Sequence, residues 1–315
     1  MDLHNRAEEI SEDQATGGRV CHWQDSSPLT VARFFPQVGA RFLHHCLDLW
    51  PVSFQPRQDA MSEQPEVSFV VGVRGTGRLP QFQATVDSLL AQEECQSEVI
   101  VVEQSWEQQF AKIIPGGARY IHTKATSPDM PFNRSWALNV GAREARGRVV
   151  VLHDGDYVVP KFFAREVARK VSGEIQSARL PRYIFYFDQE TSADIQERRT
   201  FNDVTRLEKI VQNNPTPMAL TRDAYLRIGG HDESFYGWGG EDLEFLDRAR
   251  TLRHAEGAFL PIFHMWHEEA PQRASGHRNR TILDERMAVP TAARKSQLAQ
   301  AAFGMMKPAV KWEVD

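Results

Sequence analysis

The sequence predicts an α/β protein built on a doubly wound, mostly parallel sheet, with a small N-terminal appendage. Three observations predict it. Short apolar runs recur at Val67–Val73, Val99–Val102 and Val149–Leu152, as expected of strands buried on both faces. Segments with helical apolar spacing lie between them, at Leu79–Leu90 and Asn133–Arg146. Polar or acidic residues then follow the strands: Arg74-Gly-Thr-Gly-Arg78, Glu103-Gln104 and His153-Asp-Gly-Asp156. Ligands of open α/β sheets bind at such strand ends.

Taken in order, residues 1–20 are polar and acidic, and the chain turns apolar and aromatic from Cys21 to about Pro56. Phe42–Trp50 has helical spacing. Residues 1–60 therefore read as an appendage, partly disordered and then helical, with a polar linker at Gln55–Pro65. The catalytic domain is expected over 61–288. Its strands are Val67–Val73, Glu98–Glu103, Ala118–His122, Arg148–Leu152, Tyr183–Asp188, Met218–Thr221 and Ala258–Phe263. Ala193–Asn213 reads as a charged helix or a loop. Arg222–Ile228 and Glu241–Arg253 read as helices, the latter opened by acidic residues that suit its dipole. Residues 289–315 form a helical tail.

Composition narrows the function classes. The chain has 315 residues and a net charge of −5, so no general basic surface advertises nucleic-acid binding. No apolar run approaches the roughly 20 residues of a membrane span, and the first residues lack a signal-peptide pattern. Cys21, Cys46 and Cys95 are sparse and lack metal spacing, which fits a reduced, cytoplasmic setting. Peripheral membrane contact stays open, as does the oligomeric state.

Four constellations carry chemistry. Asp154-Gly-Asp156 follows a buried strand and can present oxygens to one hard cation. A surface Asp-Gly turn is the plain alternative. His264 and His267 lie just past the last strand and with Asp156 make a mixed N/O set suited to Mn²⁺ or Mg²⁺. A packed aromatic cluster with Met265 and Trp266 is the alternative there. The block Phe235-Tyr-Gly-Trp-Gly-Gly-Glu-Asp-Leu-Glu244 sets Trp238, a flat face for a sugar, beside Glu241 and Asp242, either a helix cap or a general base. Phe132-Asn-Arg134 opens a helix with Asn133 as cap, and Phe132 and Arg134 are candidates for nucleotide contact.

These motifs, from Phe132-Asn-Arg134 and Leu138-Asn-Val-Gly141 through His153-Asp-Gly-Asp156, Gly229-Gly-His-Asp-Glu233, Tyr236-Gly-Trp-Gly-Gly-Glu-Asp242 and His264-Met-Trp-His267, occur in the same order in GT-A glycosyltransferases. The chain resembles the beta-1,4-galactosyltransferase and chondroitin-polymerase-like branch over roughly residues 66–280. The resemblance implies a GT-A fold, a UDP-sugar donor, Mn²⁺ (or Mg²⁺), inversion at the anomeric carbon and a saccharide or glycoconjugate acceptor. By position it implies Asp156, His264 and His267 as metal ligands. Asp242 is implied as base and Glu241 as a hydroxyl contact. Arg74, Glu103, Gln104, Phe132, Arg134, Asp154, Trp238 and Gly239 are implied on the donor. Residues 268–280 resemble a loop that closes over the donor, and Glu244 is assigned a supporting role. The chain departs from Golgi galactosyltransferases in lacking their membrane stem and disulfides, which points to a bacterial-type enzyme of polysaccharide or glycan biosynthesis. A retaining transferase of the same fold and a non-catalytic sugar- or nucleotide-binding module are the alternatives.

Overall fold

A computed structural model describes residues 36–57, 63–212, 214–269 and 277–307. The expectations for residues 1–35 lie outside these. So does most of the closing loop, since 270–276 are not described.

Nine strands form one sheet among the described residues: β1 (Val67–Val73), β2 (Ser97–Ser105), β3 (Ala118–Lys124), β4 (Val149–His153), β5 (Tyr157–Val158), β6 (Ser177–Tyr186), β7 (Lys209–Gln212), β8 (Met218–Thr221) and β9 (His254–His264). Their order is β3-β2-β1-β4-β8-β6-β9-β5, with β7 on β6. The first half, β3-β2-β1-β4, is parallel throughout. The second half is mixed: β4–β8, β6–β8, β6–β7 and β5–β9 are antiparallel, and β6–β9 is parallel. The expectation of a mostly parallel sheet thus holds for one half only. Burial on both faces leaves the same apolar run whichever way a strand points.

This topology brings distant residues to one edge. The strands β1, β2 and β4 end there with Arg74, Glu103 and Asp154 beside them. Antiparallel β8 begins there, its Met218 opposite Leu152. Two antiparallel steps through β6 return β9 to the direction of β4, so His264 also ends at that edge.

Helices cover both faces. Phe69 and Val71 of β1 point into one layer with α2 (Leu79–Leu90) and α4 (Phe163–Lys170), through Phe82, Val86, Leu89, Phe163 and Val167. Val70 faces the other layer, with Trp136, Leu138 and Val140 of α3 (Arg134–Glu144) and Phe245 of α7 (Glu241–Ala249). Alternation on a strand sends neighbours to opposite sides. Gly141 lets α3 lie close on the sheet, because a Cβ there would lie 2.2 Å from Val70 Cγ1. A third cluster seats α1 (Pro36–Leu49) on the sheet: Leu43 and Phe54 pack with Phe185, Phe187, Phe201, Phe263 and Met265.

Several elements differ from expectation: the short strand β5 and the helix α4 were not expected, and β9 starts at His254 rather than Ala258. Residues 193–213 hold the end of α5 (Gln189–Arg198) and the strand β7, not one helix or loop. The strand expected at Tyr183–Asp188 starts six residues earlier, at Ser177. Its apolar signal is broken by Arg179, Pro181 and Arg182. The helix expected over Glu241–Arg253 ends at Ala249. The C-terminal region carries α8 (His277–Ala288) before the expected tail helix α9 (Thr291–Gln300). The short α6 (Arg222–Arg227) completes the set.

Candidate active site

The β4–β5 loop supplies Asp154 and Asp156, and the end of β9 supplies His264 and His267. Pairing of β5 with β9 sets Tyr157 opposite His264, which draws Asp156 to the histidines. One ligand atom from each of Asp156, His264 and His267 lies within 4.8 Å of the others. His267 Nε2 sits 3.0 Å from Asp156 Oδ2. His264 stacks on Tyr186 with ring centroids 4.1 Å apart, and its buried Nδ1 has no hydrogen-bond partner.

That orphaned nitrogen fits a metal ligand. Ligand atoms about 2.1–2.2 Å from a Mn²⁺- or Mg²⁺-sized ion stand up to about 4.4 Å apart, so a small tightening closes the set. Protonation favours it too. Burial lowers His264 to about 4, leaving it neutral at pH 7. Burial pushes the Asp156 carboxyl up, but His267, His264 and Arg78 outweigh that and hold it at about 2. The set of one carboxylate and two imidazoles suits Mn²⁺ among other divalent ions.

Arg78 is a partner that the sequence reasoning passed over. Its Nη1 lies 3.2 Å from Asp156 Oδ2, and its other nitrogen donates to the Glu268 carbonyl. A positive charge there lies beside any diphosphate drawn to the cluster. Its signal was the second arginine of Arg74-Gly-Thr-Gly-Arg78, which a short 3-10 turn over Thr76–Arg78 swings over the acidic loop.

Arg134 ties the acidic loop to the acidic block. Asn133 caps α3 by accepting from the Trp136 N–H at 2.8 Å, which puts Arg134 in the first turn. Its guanidinium meets Asp154 Oδ1 at 2.6 Å, Asp242 Oδ1 at 2.8 Å and Glu241 Oε1 at 3.7 Å. Burial opposes this charge, but Asp154, then Asp242 and Glu241, hold it firmly protonated. Thr216, on the loop before β8, donates to the other Asp154 oxygen at 3.1 Å.

The block itself turns on glycine. Gly237, Gly239 and Gly240 all have positive φ, a region open to glycine and costly for others. Gly240 caps α7, and Glu241 and Asp242 occupy its first turn. Their environments diverge. Burial pushes Asp242 up, but Arg134 outweighs it, so the carboxyl stays below the ordinary range and ionised. Glu241 is raised to about 7, first by burial and then by Asp242, and its Oε2 is buried without a partner. Trp238 is 51% exposed, and a side chain at Gly239 would meet nothing within 4 Å. An open face thus borders one buried carboxyl, Glu241, and one partly buried, Asp242.

Other expected donor residues are turned to the protein. Glu103 is fully buried and accepts from Tyr120 Oη, Ser105 Oγ and the N–H groups of Gln109 and Phe110, at 2.5–3.2 Å. Gln104 accepts from the Asn133 N–H at 2.9 Å. Arg74 donates to the carbonyls of Met130 and Pro128. Phe132 lies half-buried against Gly72. These side chains shape the loops after β2 and before α3. Glu244 is fully buried between Arg248 and Arg294, each 2.7 Å from its carboxylate. That is the supporting role expected of it.

Residues 217–267 match the family model described as the N-terminal domain of galactosyltransferase. The stretch runs from the start of β8 through the acidic block to His267. No curated protein matches the chain. Among solved structures, it is similar to the catalytic domain of Drosophila beta1,4galactosyltransferase 7 in complex with xylobiose, at 15% identity over 60% of this chain and 63% of that one, with a TM-score of 0.36. The chain therefore spans just under two thirds of that domain. It is also similar to Mycobacterium tuberculosis glucosyl-3-phosphoglycerate synthase in complex with Mn²⁺, UDP and glucosyl-3-phosphoglycerate, at 17% identity over 72% of this chain and 81% of that one, with a TM-score of 0.46.

The acidic loop at the sheet edge and the segment that is similar to the galactosyltransferase model thus contribute to one site, which Asp156, His264 and His267 share. No described helix is long and apolar enough to cross a membrane.

Proposed function

We propose that the protein is a metal-dependent, inverting glycosyltransferase. It moves a hexose or N-acetylhexosamine from a UDP-sugar to a hydroxyl of a saccharide or glycoconjugate. The observation that carries this reading is the Arg134 bridge, which joins the acidic loop to Glu241 and Asp242 in one buried knot. Donor and acceptor groups then meet across a single guanidinium.

The residues divide the work. Asp242, kept ionised, takes the proton of the acceptor hydroxyl as that oxygen attacks the anomeric carbon. The bond to the UDP oxygen breaks on the opposite face, and its electron pair leaves with the diphosphate. Glu241 holds a substrate hydroxyl, and Trp238 lies under a sugar ring. Asp156, His264 and His267 would hold Mn²⁺ or Mg²⁺, which when bound offsets the charge of the leaving diphosphate. Arg78 adds to that offset. Arg74, Glu103, Gln104, Phe132, Asp154 and Gly239 line or brace the donor side. A retaining route is the weaker reading, since Asp242 beside Glu241 offers an ionised carboxylate to act as base. Residues 61–288 form the catalytic unit of this reading, with 1–60 as an appendage and 289–315 as a tail whose helix α9 braces α7 through Arg294.

The test is a panel of UDP-sugars scored for Mn²⁺-dependent UDP release, with and without saccharide acceptors. Asp242→Asn should lower turnover by about 10²–10⁴-fold while UDP binding survives. If no UDP-sugar is bound or turned over, or if Asp242→Asn turns over normally, the reading fails.

A further inference from the structure

The Asp242 oxygen that Arg134 holds also meets a histidine with an unusual set of constraints. His231, buried after α6, stacks on Phe245 of α7 with ring centroids 3.9 Å apart. Its Nε2 points at Asp242 Oδ1 from 3.8 Å, and its Nδ1 lies 3.1 Å from Tyr225 Oη. The proton on this ring can be assigned from its neighbours. Asn139 sends its amide NH₂ to the His231 carbonyl at 2.8 Å and to Glu233 Oε1 at 2.9 Å. Its oxygen accepts the His231 N–H at 2.8 Å. Both amide ends are therefore fixed, since a flip would set oxygen against oxygen and N–H against N–H. Tyr225 Oη lies 2.5 Å from that same amide oxygen, so the one phenolic proton must lie between them. Tyr225 has no proton left for His231, and the ring nitrogen beside it must be the donor.

The consequence falls on the far nitrogen. A neutral His231 carries its proton on Nδ1 and turns an Nε2 lone pair toward Asp242. A lone pair and a carboxylate do not bond, which agrees with the 3.8 Å gap, while every other polar contact in this network measures 2.5–3.1 Å.

We propose that His231 is a positioning residue for the base Asp242, locked as the Nδ1–H tautomer so that its Nε2 receives the proton that Asp242 collects. The inference rests on the proposed role of Asp242. In the resting site the lone pair opposes ionised Asp242 and makes it more basic than Arg134 alone would leave it. When the acceptor hydroxyl gives up its proton, the new sugar–oxygen bond forms and the bond to UDP breaks. The proton then sits on Asp242 and is donated to Nε2, so repulsion becomes a hydrogen bond. The pair stores one proton per turnover and releases it to solvent with product. Burial keeps the ring itself neutral, at about 4. The charged groups around it are Asp242 and Arg248 of α7, Arg134 of α3, and Glu233 held through Asn139. Tyr225 of α6 is kept protonated, chiefly by burial.

Two measurements test this. Nitrogen-resolved NMR of ¹⁵N-histidine-labelled wild-type protein reads the tautomer without any substrate. The expected result is a protonated Nδ1 and a bare Nε2, and a protonated Nε2 in the neutral ring overturns the proposal. The second measurement is the pH profile of UDP release in His231→Phe and Tyr225→Phe. The phenylalanine at 231 keeps the stack on Phe245, and loss of the Tyr225 hydroxyl frees His231 to donate to Asp242. Both variants should lower kcat about tenfold and move the acidic limb down by about one pH unit, with donor KM unchanged. An unmoved limb with a lower melting temperature identifies His231 as a packing residue and overturns the proposal. Wild-type protein that turns over no UDP-sugar instead sinks the transferase reading, and the NMR tautomer still decides the wiring.

Discussion

Glu241 should be a group that costs stability for the sake of the site. Its carboxyl is raised from 4.5 to about 7, and one oxygen is buried without a partner. A folded pKa above the unfolded one means that the native state prefers the neutral acid. The contribution is then fully favourable below about pH 4.5, declines as pH rises, and is lost above about pH 7. A shift of about 2.5 units corresponds to about 3.5 kcal/mol, at about 1.4 kcal/mol per unit. Asp242 shares this penalty, so about 3.5 kcal/mol is an upper bound. Glu241→Gln keeps the shape and removes the charge. It should raise unfolding free energy by about 1–3 kcal/mol at pH 8 and change little at pH 4. Urea unfolding followed by tryptophan fluorescence at the two pH values reads the difference directly. On the proposed function the same variant should transfer sugar more slowly, because the carboxylate assigned there to a substrate hydroxyl is gone. Equal effects at both pH values, or a loss of stability at pH 8, would refute the electrostatic reasoning.

Other outcomes follow from the same geometry. Asp156→Asn and His264→Ala should abolish the thermal stabilisation by Mn²⁺, which for wild type reaches about 2.7 kcal/mol at a hundredfold excess over Kd, and differential scanning fluorimetry measures it. Arg134→Met leaves Asp154, Glu241 and Asp242 buried without their cation and should cost about 3–5 kcal/mol, with more loss at pH 8 than at pH 5 in chemical denaturation. Gly141→Ala forces a Cβ against Val70 and should cost about 1–3 kcal/mol while leaving the KM of the folded fraction unchanged.

The legible parts of the sequence were those in which one residue type does one job. The apolar runs of β1 and β4 were plain because both faces are buried. The clustering of Asp156, His264 and His267 was readable because few residue types bind metal, and the cap at Asn133 was readable from local chemistry. β6 was cut short because Arg179, Pro181 and Arg182 interrupt its apolar pattern. α8 was missed because His277-Arg-Asn-Arg reads as polar loop. Glu103 looked like a ligand contact, since a carboxylate at a strand end usually faces solvent. Its four protein donors come from residues two to seventeen positions away, which no local pattern displays. His231 and Arg78 were invisible as site residues for a related reason: their importance lies wholly in which atoms face them.

The two-residue strand β5 has a consequence for how the protein comes to be active. Asp156 and His264 stand about a hundred residues apart along the chain, and the short rung between β5 and β9, with the Met265 N–H donating to the Asp156 carbonyl just beyond it, makes them neighbours. Closing so long a loop is entropically slow, and a rung of this length holds only after β9 has already zipped along β6. Metal affinity should therefore appear late during refolding, after the bulk of the sheet has formed. A Mn²⁺ titration taken at successive refolding times would then act as a clock for the final stitch, and it separates chains that are merely compact from those that are finished.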